Sequence, residues 1–396
     1  MVYVSGMAFD RSTSDVPGKI TATSTNRLLF YAPHPSGQCS IAAWWPKAIY
    51  TNANWLVMVR GGLGYNPGER STYDLSSYGA EAIADYFCAQ GYVVFAIDYP
   101  GNASNRDDGL PLNDIRPLAQ WPDAIFWCAT ALQFIRDNFD STTPFGARLL
   151  GQGNSIDPVF GTWYGNSWGG TIGAMLALMP DWMLARFAAP GLRRSGWQPR
   201  SSHRLKAWML NQAQIDLTQF DIEPANLTNN PSYALGEIYM NDRAQWLMRS
   251  DGKQKWSTTP LDIKRVSPWW MLQRNYPENS DVGFYCRWPA NPGGTVAEEA
   301  NLTTDHWRPG VVPTAADRTA GTAWRDPHHL FQARPWRDAL HSYGTDPNAL
   351  IRKSVVRWGN ASGSGVWANP GSAFQTNTNF AAAAHEWLKA HFGFPY

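Results

Sequence analysis

The segment Gly165-Asn166-Ser167-Trp168-Gly169 sets a serine between two glycines, after the β-forming run Val159 to Tyr164 and before a run of small and aliphatic residues reaching Met179. That is the arrangement of a serine nucleophile on a sharp strand-to-helix turn, where glycines let a strained backbone pass without Cβ clashes. Five residues with three fixed recur by chance, so the pentad gains weight only from its context. The alternative is a bystander serine in a glycine-rich turn. A serine hydroxyl is a poor nucleophile at neutral pH unless a base takes its proton. Groups that stabilise the oxyanion must also come to meet it.

Other chemistries fare worse. The chain has no HExxH, no phosphate-binding Walker loop and no Cys/His cluster at metal spacing, so neither a cofactor nor a metal is expected. The carboxylate pairs Asp107-Asp108 and Glu298-Glu299 fall in turn-rich loops and read as solvated. Asp98 closes a strand near the edge where ligands gather in α/β sheets, and reads as structural. Cys39, Cys88, Cys128 and Cys286 lie far apart and read as small buried hydrophobes.

The elements around the serine alternate between strand and helix, which implies an α/β fold with a mostly parallel sheet and helices on both faces. Lys19 to Ala32 and Gln38 to Trp45 predict an opening antiparallel pair. Trp55 to Val59 and Val93 to Ile97 are short continuous apolar runs, the pattern of strands covered on both faces. Between them, Ser76 or Ser77 to Gly91 predicts a helix with Ile83 and Phe87 on one face. Ile125, Cys128, Leu132, Ile135 and Phe139 recur at helical spacing. Beyond the serine, small residues at Gly169, Gly173 and Ala177 would let the following helix lie close to the sheet. Leu205 to Gln214, Val282 to Trp288 and Ile351 to Trp358 predict further strands, with a helix in "FQARPWRDALHSYG" and a closing helix over Asn379 to Phe392.

Residues 217–272 break this rhythm and read as an inserted helical cap, and 289–325 as an irregular second insertion. The core is then 1–216 together with 273–396.

With these elements in order, the chain resembles the α/β-hydrolases, in particular their esterase and prolyl-peptidase-like or dienelactone-hydrolase-like branches, over roughly Asn54 to Phe392. Three segments carry the resemblance: Arg60-Gly61-Gly62-Leu63-Gly64 after the strand Trp55 to Val59, the turn Gly165 to Gly170, and Asp326-Pro327-His328-His329. It implies Ser167 as nucleophile, with an oxyanion hole formed by the backbone N–H of Trp168 and by one from the glycine loop, that of Gly62 or Leu63. The glycine loop also reads as a tight strand-to-helix connection. Asp326 takes the acid's place, or simply caps the following helix; Asp305 is a weaker candidate. The family's histidine belongs in the loop after the last core strand, but Trp358 to Trp367 reads "WGNASGSGVW" and holds none. His328 or His329, or His306 in the second insertion, stands in as base, or the His328–His329 pair packs beside Asp326. His385 and His391 on the closing helix are expected on different faces, exposed to solvent.

Two functional readings follow. One is a serine hydrolase acting on a small carboxylic ester, or less readily a peptide. The other is a hydrolase-like chain that has lost catalysis and serves as a binding or structural module, for example in a virion or surface assembly.

Composition bears on both. Charged residues make up 16%, and 33 basic against 32 acidic residues leave a net charge of +1, with no basic block to attract nucleic acid or an anionic membrane. Low charge also permits homo-oligomers or larger assemblies. The 21 Trp, 16 Tyr and 17 Phe read either as core residues or as stacking platforms and assembly surfaces. The N-terminal stretch lacks the pattern of a signal peptide, and no apolar run reaches the length of about 18 residues needed to span a membrane, so a soluble protein is expected.

Overall fold

The structure, a computed structural model, describes residues 9–10, 24–34, 37–46, 52–59, 80–97, 123–139, 155–180, 205–216, 267–289, 333–359 and 378–394. Within these the strands are β1 (Phe9–Asp10), β2 (Ser24–His34), β3 (Gly37–Pro46), β4 (Ala53–Val59), β5 (Val93–Ile97), β6 (Ile156–Asn166), β7 (Ala207–Asn211), β8 (Gly283–Pro289) and β9 (Val355–Gly359). The helices are α1 (Ala80–Ala89), α2 (Asp123–Asn138), α3 (Trp168–Leu178), α4 (Pro268–Gln273), α5 (Ala333–His341) and α6 (Thr378–Phe392).

The nine strands form one sheet in the order β1-β2-β3-β5-β4-β6-β7-β8-β9. From β1 to β5 the pairing is antiparallel, and from β5 to β9 it is parallel. This is the α/β class expected, including the opening antiparallel pair. Parallel strands must be covered on both sides. Trp55, Val57, Val59, Val93, Phe95 and Ile97 face one core, filled from α2, α3, α4 and α5. Leu56, Met58, Val94 and Ala96 face the other, filled from α1 and α6. Helices α1 and α2 bury the stripes their spacing implied: Ile83 and Phe87 in α1, and Ile125, Cys128, Leu132 and Ile135 in α2.

The chain moves from β4 to β5 on one side of β4 and from β6 to β7 on the other side of β6. The strand order therefore reverses between β4 and β6, where crevices form at the carboxyl ends of α/β sheets. Val59, the last residue of β4, is the register partner of Gly165. β4 thus ends beside the turn that carries Ser167.

Tryptophan supplies much of the core. Trp44, Trp55, Trp163, Trp168, Trp208, Trp288 and Trp336 are fully buried. Several satisfy their one polar atom on a backbone carbonyl, which makes so large a residue compatible with the interior. Trp55 Nε1 donates to Asp157 O at 2.7 Å, Trp208 to Leu205 O at 2.8 Å, and Trp288 to Ala213 O at 3.1 Å.

Two boundaries differ from the sequence reading. The segment expected as strand from Ile351 begins as a 3-10 turn, Leu350–Lys353, because Ser354 N–H donates back to Ile351 O. Ser354 Oγ then accepts the Phe284 N–H at 2.9 Å, and pairing starts at Val355. The strand expected over Leu205 to Gln214 spans only Ala207–Asn211, because Gln212 turns to φ 50°.

Of the expected insertion 217–272, residues 267–272 are described. Ile215 O accepts both the Trp269 N–H and the Ser267 hydroxyl at 2.8 Å, so the chain returns beside the point where it left. Met271 and Leu272 of α4 are buried in the core. Among the described residues no helix is long and apolar enough to cross a membrane.

Helix α3 is buried all round, and its distance from β6 is set at Gly173, where a β-carbon would stand 2.3 Å from Trp163 Nε1. In an unhindered helix Gly→Ala gains roughly 1 kcal/mol. Here overpacking outweighs propensity, and Gly173→Ala is expected to destabilise the fold by about 1–3 kcal/mol. The urea midpoint measures this, and an increased midpoint would show that α3 is not held by that contact.

Candidate active site

Ser167 is the single residue between β6 and α3, with φ 52° and ψ −116°. A positive φ is costly for a residue with a β-carbon, on the order of 1–3 kcal/mol, and persists only where the surroundings over-determine it. Gly165 permits the turn: a β-carbon there would lie 2.3 Å from Gly169 O and 2.6 Å from Gly170 N.

The strained residue is held at both of its peptide groups. Its N–H donates to Asn211 O on the neighbouring strand at 2.7 Å. Its carbonyl accepts the Thr171 N–H at 3.0 Å and the Thr171 hydroxyl at 3.3 Å. Thr171 Oγ1 in turn accepts the Gln214 N–H at 2.9 Å, tying the turn to the segment that follows β7. Trp163 Nε1 donates to Gly169 O at 3.2 Å, a second anchor on the first turn of α3. The backbone N–H of Trp168 belongs to the first residue of that helix, where the amides point outward and the helix dipole favours negative charge.

On the α1/α6 side, polar residues stand at matched register at the ends of β6 and β7 and near the end of β8. Asn166 pairs with Asn211, and Asn211 with Arg287. Asn211 Nδ2 donates to Asn166 Oδ1 at 2.7 Å and to the Tyr164 hydroxyl at 3.4 Å. All four residues are buried, and the Arg287 guanidinium lies 5.4 Å from the centre of the Phe380 ring. Burial lowers Arg287 to about 10, with Tyr164 and Tyr285 acting in the opposite direction, so it stays charged at neutral pH. Burial pushes the Tyr164 phenol up to about 12 against the pull of Arg287 and Asn211, so it stays neutral there.

The described residues include Ser167 and Trp168 of the expected set, adjacent at the turn as the motif requires. Gly62, Leu63, Asp326, His328 and His329 lie outside the described residues, as do Asp305 and His306. His391 is exposed, as expected. His385 is not: it is fully buried between α6 and α1, with the Tyr86, Phe87 and Tyr92 rings centred 5.9, 5.8 and 5.4 Å away. The reason is that α6 packs on α1 as well as on the sheet, so its buried face extends from Ala384 to include the next residue. His341 Nε2 donates to Ser354 O at 2.9 Å, at the far side of α5. Cys88, Cys128 and Cys286 are buried free thiols, and burial pushes Cys88 and Cys286 up, which keeps them inert.

Thr171, Asn211 and Arg287 were missed by sequence reasoning. Asn211 and Arg287 are lone polar residues near the end of apolar runs, "AWMLN" and "GFYCRW", and Thr171 sits among the small residues of "WGGTIGAM", where a single threonine gives no signal.

No family model and no curated protein matches this chain. Solved structures do. An esterase from Pyrobaculum calidifontis is similar at 14% identity and a TM-score of 0.51, covering 92% of this chain and 85% of its own. A thermophilic esterase from the Planctomycetes species Thermogutta terrifontis, Est2, is similar at 14% identity and a TM-score of 0.52, covering 97% of each. The same esterase phosphoramylated by tabun matches at 14% identity and a TM-score of 0.51, over 95% of this chain and 97% of its own. At this identity the likeness concerns the fold, which is that of the α/β-hydrolases.

The Asn166–Asn211 bond predicts energetic coupling across β6 and β7. In a double-mutant cycle of Asn166→Ala and Asn211→Ala, urea unfolding should give an interaction energy of about 0.5–3 kcal/mol. Additive losses would mean that the two amides act independently.

Proposed function

We propose, from an α/β-hydrolase fold with a strained serine at its central strand-to-helix turn, that this chain is a serine hydrolase of carboxylic esters. The observation that carries the reading is Ser167 at φ 52° and ψ −116°, at the point where the strand order reverses. A turn of that cost is retained where a side chain must stand clear of the backbone.

In this reading Ser167 Oγ attacks the ester carbonyl while a base takes its proton, and the same proton passes to the leaving alcohol. Water then repeats the sequence on the acyl-enzyme and releases the acid. Trp168 N–H and the N–H of Gly62 or Leu63 donate to the oxyanion. The pairing of Val59 with Gly165 supports the second donor, since the glycine loop departs there. His329 or His328 is the base and Asp326 the acid that orients it. Residues 217–272 form a cap over the site, and 289–325 a second insertion ahead of the acid loop. The substrate is a small ester.

A second reading rests on one specific observation: the segment 360–377, between β9 and α6, contains no histidine. In that reading the fold is a binding or structural module in a larger assembly.

Aryl-acetate hydrolysis by the wild type and by Ser167→Ala separates the two. The proposal expects Ser167-dependent turnover and a single organophosphorus adduct on Ser167, the reagent class that modifies the Thermogutta terrifontis neighbour. Equal rates without an adduct, in a protein that light scattering shows to be assembled, favour the module.

A histidine base also has a pH signature. An imidazole of ordinary pKa, about 6.5, must be neutral to accept a proton, so kcat/KM should fall as pH drops through that value. Replacing the operative histidine, His329→Ala or His328→Ala, should cost on the order of 10⁶ in turnover. A flat profile from pH 5 to 8, with both variants active, rules out this base.

A further inference from the structure

Resting on the reading of Ser167 as nucleophile, we infer that the Thr171 hydroxyl is a positioning residue that aims the Trp168 N–H at the oxyanion. The Ser167 carbonyl and the Trp168 N–H are opposite ends of one planar peptide unit, so the direction of one fixes that of the other. The Thr171 N–H bond to that carbonyl is the ordinary first bond of helix α3, and many helices with no catalytic duty have it. The hydroxyl is additional. Thr171 Oγ1 donates its only proton to the Ser167 carbonyl at 3.3 Å and accepts the Gln214 N–H at 2.9 Å. The oxygen is thereby fixed from the β7 side, and its proton has one direction to point.

A single bond from an amide leaves the peptide free to rock about its Cα–Cα axis. A second donor on the same carbonyl, anchored to a different element, removes that freedom. Thr171, Gln214 and Trp168 are fully buried and Ser167 nearly so, so bulk solvent has little access to this carbonyl. The N-terminal turn of α3 is also held by Trp163 Nε1 at Gly169 O, so loss of the hydroxyl would loosen the Ser167–Trp168 peptide and release the Gln214 N–H while the helix stays anchored. Oxyanion donors act through orientation toward charge that develops only in the transition state. Misorientation should therefore appear in kcat and not in KM.

The test compares Thr171→Val, which keeps the shape and removes the hydroxyl, with Thr171→Ser, which keeps the hydroxyl. Thr171→Val is expected to lower kcat for an aryl acetate about tenfold, with KM unchanged. It should weaken a trifluoromethyl ketone, which forms a tetrahedral oxyanion adduct, by a similar factor. Thr171→Ser should restore most of both. Thermal melts of each variant separate this from a general loss of structure, and Thr171→Ser remains informative even where Thr171→Val does not fold. Wild-type kcat and ketone affinity in a folded Thr171→Val, or a tenfold loss in a fully folded Thr171→Ser, overturns the inference and leaves the serine mechanism intact. Absence of Ser167-dependent turnover in the wild type instead overturns the serine mechanism on which it rests.

Discussion

The indole of Trp163 fills the space that a side chain on Gly173 would need, and this contact sets how closely α3 lies against β6. Once the helix is that close, the chain must turn from strand to helix within one residue. Ser167 takes that turn, and Gly165 clears the way by leaving the carbonyl of Gly169 unobstructed. Core packing thus holds the strained torsions at Ser167 in place. Trp163 acts twice in this, through its bulk against Gly173 and through its N–H on Gly169 O.

The two faces of the sheet handle polar groups differently. On the α2/α3 side, the indole N–H groups of Trp55, Trp163, Trp208 and Trp288 each donate to one backbone carbonyl. On the α1/α6 side, Tyr164, Asn166, Asn211 and Arg287 gather at the strand ends beneath the start of α6. Burying a guanidinium is expensive, and the lowered proton affinity of Arg287 reflects that cost. The neutral phenol of Tyr164 and the face of Phe380 provide a soft electron-rich lining for it. The cluster joins β6, β7 and β8 at the edge where Ser167 emerges.

Most of the architecture was legible because hydrophobic periodicity is a strong signal when elements are buried on both sides. The runs Trp55 to Val59 and Val93 to Ile97 could only be central strands, and the spacing from Ile125 to Ile135 could only be a helix face. The turn at Ser167 was legible for the same reason, since a strand and a helix had to meet there. What could not be read depends on packing between helices. Helix α6 is so rich in alanine that its apolar stripe has no sharp margin, and nothing in "AAAAHEW" tells that the histidine faces α1. The turn at Leu350–Lys353 was hidden because Ile351, Val355 and Val356 favour strands wherever they occur, while a local bond to Ile351 O decided otherwise. The role of Thr171 was equally hidden, because its partner at Gln214 is 43 residues away in sequence.

The strain at Ser167 and the aim of the Trp168 amide are one degree of freedom. Rotating the peptide toward relaxed torsions would return Ser167 to ordinary geometry and swing the N–H away from any atom bound to its Oγ. A conformational cost of roughly 1–3 kcal/mol must therefore be met by bonds the turn makes in this conformation. Asn211 O on the N–H side and Thr171 on the carbonyl side are those bonds, each contributing about 0.5–1.5 kcal/mol. The two amounts are comparable, so the turn is held without much surplus. A fold in this condition keeps the Ser167 turn only while β7 and the segment after it, through Asn211 and Gln214, stay in place beside β6. Catalytic geometry at the turn is then a property of the β6–β7 pairing as much as of the five residues that first mark it.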